Sequence, residues 1–578
     1  MIFNSYVYLL LFLPISLLGY FLLKRVPLRV AFAWLVLVSL VFYGWWNPDE
    51  TGQAKWTPFY VLLILGSCLG NYFFGWFIAS HKQTGLGKGV LTVGVVANLL
   101  LLGYYKYAGF LVGVYQEFTG APHQIPHIVL PLAISFFTFL QIAYLVDAYR
   151  GETKEVNFTD YLLFVTFFPH LIAGPLVHHK EMLPQFTKGT CRHRLWASLS
   201  VGLTYLILGL FKKVVIADNA ALVANAIFGL AASESRQLTF LEGWAGALTY
   251  AIRLYFDFSG YSDMAIGSAR LFGIRFPLNF HSPYKAVSII DFWRRWHMTL
   301  SRFLRDYLYF PLGGNRKGKT RRYVNLLLTM VLGGIWHGAG FAFLLWGFLH
   351  GAFLCINHGW IAFRKKHNIK PIAKPLAIGI TFLLVVIAWV PFYAGSFEHG
   401  PNGSTQKAIT VTKNMYAAMF GLNGFEAWPD RSAYVAKASH AGRAVLWLAV
   451  CWLLPNTQLF LRRYSPALDV ATYDEDPLGK QKRSWMLATP LRRACLLIFL
   501  VLYFLPVVLW RFRELRREGM FSEQWWERPE PWLRKMGLNP RRWWQWRPTT
   551  PWFVFTFLLL IVILTQFDKV SEFIYFQF

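Results

Sequence analysis

The residue in this sequence best placed to do chemistry is a histidine set among glycines. His337 stands in Gly333-Gly-Ile-Trp-His-Gly-Ala-Gly340, with mostly apolar residues on both sides from Val324 to Ile361. Imidazole titrates near pH 6.5 and is the commonest general base, able to take a hydroxyl proton during acyl transfer. Hydrogen bonding between helices is the plain alternative for a lone histidine in such a setting. Trp336 beside it is a candidate substrate contact. Asp257 and Asp263 lie in Phe256-Asp-Phe-Ser-Gly-Tyr-Ser-Asp, at the end of an apolar run that begins near Leu241. They could orient a histidine, bind substrate or rest at an interface. His297 follows Trp293-Arg-Arg-Trp. It either meets a donor at a cytoplasmic mouth or is a surface histidine on an amphipathic helix. Arg294 and Arg295 could hold the phosphates of a nucleotide-containing donor, or lipid head groups. There is no Gly-rich phosphate loop, no Gly-x-Ser-x-Gly and no clustered set of metal ligands. Cys68, Cys191, Cys355, Cys451 and Cys495 are odd in number and scattered, which points to neither a disulfide framework nor a zinc site.

The elements that must position these groups are membrane helices. The chain is 56% hydrophobic, 18% aromatic and only 15% charged, with a mean hydropathy of +0.39; no soluble average fits. A spanning helix needs about 20 mostly apolar residues, and roughly 11 to 13 such stretches predict an all-α polytopic membrane protein. The first, Tyr6 to Leu23, has neither a basic leader nor a small-residue cleavage site and reads as a retained helix. The apolar run around His337, roughly 40 residues, would be on the order of 60 Å as one helix, about twice the hydrocarbon core. It must therefore turn. The glycines mark the place, and Arg321-Arg322 and Arg364-Lys365-Lys366 at the two ends favour a hairpin returning to the cytoplasmic side. From Val324, about 13 residues give ~20 Å of rise, which sets His337 deep in the membrane.

The formal charge of +28 would suggest nucleic acid in a soluble protein. Here basic residues in short loops between apolar spans match cytoplasmic loops and anionic head groups, and no nucleic-acid motif accompanies them. Loop charges alternate through Lys24-Arg25, Asn47 to Trp56, His81 to Lys88, Glu117 to Ile128, and Arg150 with Lys154, which puts the N-terminus outside and five spans before residue 154. Leu162 to Val177 carries Pro169, Gly174 and Pro175 between two basic flanks, so it reads as a re-entrant excursion lining an interior. Ile289 to Leu308 has the spacing of an amphipathic helix on the membrane surface. Polar stretches around 400–443 and 464–493, and a Trp-rich basic segment from Arg511 to Arg547, follow before a last span at Trp552 to Leu564. Residues 1–394 are thus expected to form the membrane core. Residues 395–578 are expected to form a C-terminal region of further helices, polar loops and a Trp/Arg-rich interfacial segment.

Several stretches are similar to a known family. They are Met1-Ile-Phe-Asn-Ser, Leu130-Pro-Leu-Ala-Ile-Ser-Phe-Phe-Thr-Phe through Asp147-Ala-Tyr-Arg-Gly, and Phe168-Pro-His-Leu-Ile-Ala-Gly-Pro-Leu. To these add Asp257-Phe-Ser-Gly-Tyr-Ser-Asp-Met-Ala, Phe276-Pro-Leu-Asn-Phe, Asp291-Phe-Trp-Arg-Arg-Trp-His-Met-Thr-Leu-Ser, Tyr309-Phe-Pro-Leu-Gly-Gly-Asn and Gly334-Ile-Trp-His-Gly. The chain resembles the membrane-bound O-acyltransferases, in particular the bacterial branch around alginate O-acetyltransferase. The resemblance implies a multi-helix core with a tunnel, re-entrant and interfacial helices, His337 as the essential histidine and His297 as a second, more cytoplasmic one. It implies no bound cofactor, acetyl-CoA as acyl donor and multi-pass residence in the bacterial inner membrane. It also implies extracytoplasmic hydrolase-like acetyltransferase partners beside polysaccharide synthesis and export machinery. Members of the branch acetylate alginate, cellulose or peptidoglycan, and close relatives move D-alanine to teichoic acids. Two readings from other classes remain open on the residues alone. One is a non-catalytic transporter or flippase of an acylated carrier, the other an assembly scaffold, and the scaffold would make His337 dispensable.

Overall fold

The computed structural model describes residues 3–23, 27–45, 58–120, 128–153, 157–172, 174–187, 195–398, 404–425, 448, 451–452, 456–461, 468 and 550–566. Among them the regular structure is entirely helical. In chain order the helices are α1 (Val7–Leu22), α2 (Leu28–Gly44), α3 (Pro58–Ser80), α4 (Gly85–Leu102), α5 (Ala108–Thr119) and α6 (Ile134–Arg150). Next come α7 (Phe158–Thr166), α8 (Phe168–Leu171), α9 (His179–Thr187), α10 (Leu195–Leu210), α11 (Asp218–Ser233) and α12 (Phe240–Leu271). The series continues with α13 (Ile289–Trp293), α14 (Met298–Leu304), α15 (Lys319–His337), α16 (Phe341–Lys366), α17 (Lys374–Ala394), α18 (Thr405–Met419) and α19 (Thr550–Leu564). Five described helical runs are long and apolar enough to cross a membrane: Phe59–Ser80, Gly85–Gln116, Ser198–Ser233, Phe341–Lys366 and Lys374–Glu398. Val7–Leu22, Leu28–Gly44 and Val554–Leu564 are shorter apolar helices. Helices α6, α12 and α15 carry charged residues and bury much of their length, so hydropathy alone passes over them.

The centre of the molecule is α12, 32 residues long and so about 48 Å from end to end. A capping box starts it, with the Thr239 hydroxyl accepting the Glu242 N–H while Glu242 takes the Thr239 N–H. Helix α10 lies against it at glycine contacts. A Cβ on Gly267 would sit 2.7 Å from the Gly202 carbonyl, and one on Gly209 would sit 2.6 Å from the Gly260 carbonyl. Small residues let the backbones touch, which is how helices gain packing where lipid offers no hydrophobic drive. A π-helical turn, Phe211–Ala217, then brings two consecutive lysines to α12. Lys213 pairs with Asp257 at 2.8 Å and Asp218 at 2.6 Å, and Lys212 pairs with Asp263 at 2.5 Å. Asp263 also accepts the Thr457 hydroxyl at 2.7 Å. Buried charges survive in such an interior when paired and hydrogen-bonded. These ion pairs tie α12 to its neighbours and account for the burial of both aspartates.

The expected re-entrant segment is present as two helices too short to cross: α7, of 9 residues, and α8, of 4. From Tyr161 to Val177 the described side chains are buried. Its two flanks meet. Lys180 pairs with Glu152, and His179 Nδ1 lies 3.2 Å from Asp147. A crossing would have put those groups on opposite faces. The expected continuous helix over Ile289–Leu308 is corrected: it is broken into α13, α14 and a π-helical turn, with His297 at the break in the left-handed region, φ +40°. The loops around Lys24 and Lys154, the 47–56 loop, all of 426–447, nearly all of 464–493 and the Trp-rich segment 511–547 lie outside the described residues.

Candidate active site

Helix α15 starts at Lys319 and runs about 28 Å to end on His337. Gly338 and Gly340 then adopt extended backbone, and α16 returns from Phe341. The expected hairpin therefore turns one residue beyond the histidine. Glycines also let the two arms close. A Cβ on Gly334 would lie 2.3 Å from the Phe343 carbonyl, and one on Gly347 would lie 2.5 Å from the Met330 carbonyl.

His337 is buried in an aromatic surround. Its ring centroid is 4.9 Å from Trp336, 5.0 Å from Trp346 and 5.2 Å from Phe392. Trp336 stacks on Phe139 at 5.1 Å and lies 6.4 Å from the ring of His297. The two candidate histidines thus flank one indole, although 40 residues separate them in sequence.

His297 is not a surface residue; it is 1% exposed. Asn279, on the loop before α13, determines its state. The Leu176 N–H donates to the Thr299 hydroxyl at 3.0 Å, so that hydroxyl donates onward to Asn279 Oδ1 at 2.9 Å. The Thr299 N–H also points at Oδ1, at 3.4 Å. An oxygen receiving those donors must be the amide oxygen, and the partner 3.0 Å away, His297 Nδ1, must carry its proton to it. Nε2 is then the bare nitrogen. It is buried with no hydrogen-bond partner among the described residues, a base whose lone pair is free to accept from a ligand.

The remaining candidates divide. Asp257 and Asp263 take the lysine partners described above. Arg295 is buried, with Nε on Asp291 at 2.8 Å, and Arg294 beside it is exposed, so the two guanidiniums do not form one anion clamp. Three further groups belong to this region. His350, on α16, is fully buried between Trp293 (5.2 Å), Trp346 (4.9 Å) and Trp389 (5.8 Å), and neither ring nitrogen has a hydrogen-bond partner among the described residues. It shares the apolar run of His337, a signal the sequence did carry. Lys106 reaches the end of α15 from α4–α5, and a lone lysine in an apolar span was equally visible. Asn279 lies in the family-like stretch Phe276-Pro-Leu-Asn-Phe, but nothing in that stretch singled out its side chain. Some distance off, a cavity of about 310 Å³ is lined by Asp147, Arg150, Glu152, His178, Lys180, Asp306, Tyr307 and Phe310. Among the described residues no group of three His, Cys, Asp or Glu side chains could hold a metal ion.

The chain that brings His337, at the end of a glycine-broken hairpin arm, to His297, at a helix break, is similar to known proteins. The model of the membrane-bound O-acyltransferase family matches residues 132–392. A peptidoglycan O-acetyltransferase of Helicobacter pylori is 42% identical over 73% of this chain and 80% of that protein. The chain belongs to the membrane-bound O-acyltransferase family. It is an acyltransferase in a multi-pass membrane protein. The probable alginate O-acetylase AlgI of Pseudomonas aeruginosa is likewise 42% identical, over 74% of this chain and 76% of that protein. A teichoic acid D-alanyltransferase of Bacillus subtilis is 27% identical over 65% of the chain and 93% of its own length. The matched span of this O-acyltransferase runs from the start of α6 to the end of α17 and includes Asn279, His297, His337 and His350.

Proposed function

We propose that this acyltransferase passes an acetyl group from acetyl-CoA on the cytoplasmic side, across the bacterial inner membrane, for O-acetylation of an exopolysaccharide such as alginate or cellulose. The observation that carries the reading is the pairing of His337 with His297 across Trp336, the latter with Nε2 bare. Burial among aromatics excludes water, which keeps an activated acyl group from hydrolysis. In the transfer, a histidine nitrogen takes the proton of the acceptor hydroxyl, whose oxygen attacks the thioester carbonyl carbon. The C–S bond breaks, the ester forms, and the proton passes to the departing thiolate. His337 is the base in this reading, and His297 holds or relays the proton. On the cytoplasmic side, the exposed Arg294, beside the buried Arg295, suits the phosphates of the donor. An extracytoplasmic hydrolase-like acetyltransferase would complete delivery to the polymer, beside the synthesis and export machinery.

A second acceptor is favoured by one observation: identity to a peptidoglycan O-acetyltransferase equals that to an alginate O-acetylase. D-alanyl transfer to a teichoic acid has the weaker similarity. Comparing envelope polymers from cells with and without the gene tests all three. Each polymer is fractionated, treated with mild alkali and assayed for the released acyl group. Acetate lost from the exopolysaccharide fraction alone supports the proposal. Acetate lost from peptidoglycan, or D-alanine lost from teichoic acid, replaces it with that acceptor. Unchanged acyl content in all fractions overturns all three acceptors.

A further inference from the structure

The last four carbonyls of a helix have no partners within it and must find others. At the end of α15 every one is met. The Gly338 N–H reaches the Gly334 carbonyl at 3.4 Å. The Tyr107 hydroxyl donates to Ile335 at 2.8 Å. Lys106 Nζ donates to Trp336 at 2.6 Å and to His337 at 3.0 Å. Lys106 and Tyr107 close a π-helical turn, Gly103–Tyr107, that interrupts the α4–α5 span. Such turns are rare and recur at functional sites because they break the regular order of side chains around a helix. A lysine inside an apolar span is expensive unless its charge has a use. Here a cation faces the negative end of a helix dipole, three bonds from the atoms that hold the imidazole. The other side of the turn is the mirror case: Glu398 Oε1 accepts the Ala342 N–H at 3.2 Å at the positive start of α16. The Lys106 ammonium also makes its third close approach to Ser135 Oγ, at 3.5 Å on α6.

We infer that Lys106 and Tyr107 are positioning residues of the acyl-transfer site: they clamp the carbonyls of Ile335, Trp336 and His337 and so fix where the His337 imidazole stands. The inference rests on the proposed role of His337. Neither residue is assigned a contact with substrate, so the clamp governs the rate of transfer and not the binding of donor.

Membranes from cells expressing each full-length variant, supplied with radiolabelled acetyl-CoA, report label in alkali-labile products at varied donor concentration and equal protein abundance. A misplacement of about 1 Å costs on the order of 100-fold, so K106M is expected to lower the maximal rate by roughly 10- to 100-fold. The half-saturating donor concentration should stay within about twofold, since the clamp binds no donor. K106R, which keeps the charge and two donors, should recover most of that loss. Y107F, which removes one of three bonds, should lose only a few-fold. K106M within about threefold of wild type, K106R as poor as K106M, or a half-saturating concentration that rises in step with the lost rate each overturns the clamp, since a positioning loss falls on the rate alone. Where K106M does not accumulate, Y107F decides, and a Y107F equal to wild type overturns the clamp. H337A is run in parallel. An active H337A removes the reading on which the clamp rests, whereas a dead H337A with an active K106M removes the clamp alone.

Discussion

Replacing Asn279 with leucine tests how far the bare Nε2 of His297 depends on its neighbour. Leucine fills a similar volume and offers no acceptor. The change orphans the Nδ1–H of His297 and the hydroxyl of Thr299, both buried. Each unsatisfied buried donor costs about 1–3 kcal/mol, so a loss of roughly 2–6 kcal/mol of stability is the upper range before relaxation. The effect on transfer is separate. With no acceptor at Nδ1 the proton is free to move to Nε2, and a lock of about 1–3 kcal/mol corresponds to roughly 5- to 160-fold in rate at 1.36 kcal/mol per tenfold. Asn279→Asp is the control. Asn279 Nδ2 has no hydrogen-bond partner among the described residues, so a carboxylate there sacrifices no donor and still accepts from Nδ1. Alkali-labile label from acetyl-CoA, normalised to folded protein, is the assay. N279L is expected to fall 5- to 160-fold and N279D to stay well above it. Equal activities for wild type and N279L would show that the tautomer of His297 has no part in the reaction.

Three other outcomes are expected. Gly267→Val drives a side chain into the Gly202 carbonyl and the Leu206 N–H, each 2.7 Å from the Cβ position, and should lower the thermal midpoint in detergent by an overpacking cost of about 1–3 kcal/mol or more; an unchanged midpoint would mean that α10 and α12 can part freely. Burial, then the Arg302 guanidinium, holds the His178 imidazole down at about 4 against the pull of Glu181, Asp147 and Asp306. The folded protein keeps it neutral while the unfolded chain protonates it below about 6.5. Stability should therefore fall as pH drops from 6.5 towards 4 and level off below, and His178→Gln should flatten that slope in pH-dependent melting; an identical slope in the variant counts against it. Cysteines placed at Leu162 and Val177 should both escape labelling from outside by a charged thiol reagent, as the joined flanks of the re-entrant segment require, and outside labelling of either would indicate a crossing.

The hairpin around His337 was legible because two quantities conflict in the sequence: an apolar run too long for one crossing, and glycines at its middle. The re-entrant segment was legible for a similar reason, basic flanks on both sides of a proline-broken run. The break at His297 was not. Helical spacing from Ile289 to Leu308 is intact, and what overrides it is a distant strap: the Asn279 carbonyl takes the Met298 N–H at 2.9 Å, and the Asn279 side chain takes His297 and Thr299. No local pattern encodes a partner 18 residues away. The aspartates were visible as buried charge, but their partners were not, because Lys212 and Lys213 reach α12 only through a π-helical turn that periodicity does not report. Arg294 and Arg295 look alike in sequence and differ in the structure because neighbours on a helical turn point about 100° apart: Arg295 follows Asp291 by four residues and pairs with it, while Arg294 faces outward.

The central claim is that His337 performs the transfer, and it is tested most directly by supplying radiolabelled acetyl-CoA to inside-out membrane vesicles carrying wild type or His337→Ala at equal abundance. The account expects alkali-labile label to form with wild type and to fall to the level of vesicles lacking the protein with the variant. Undiminished label from a correctly inserted His337→Ala protein would contradict it.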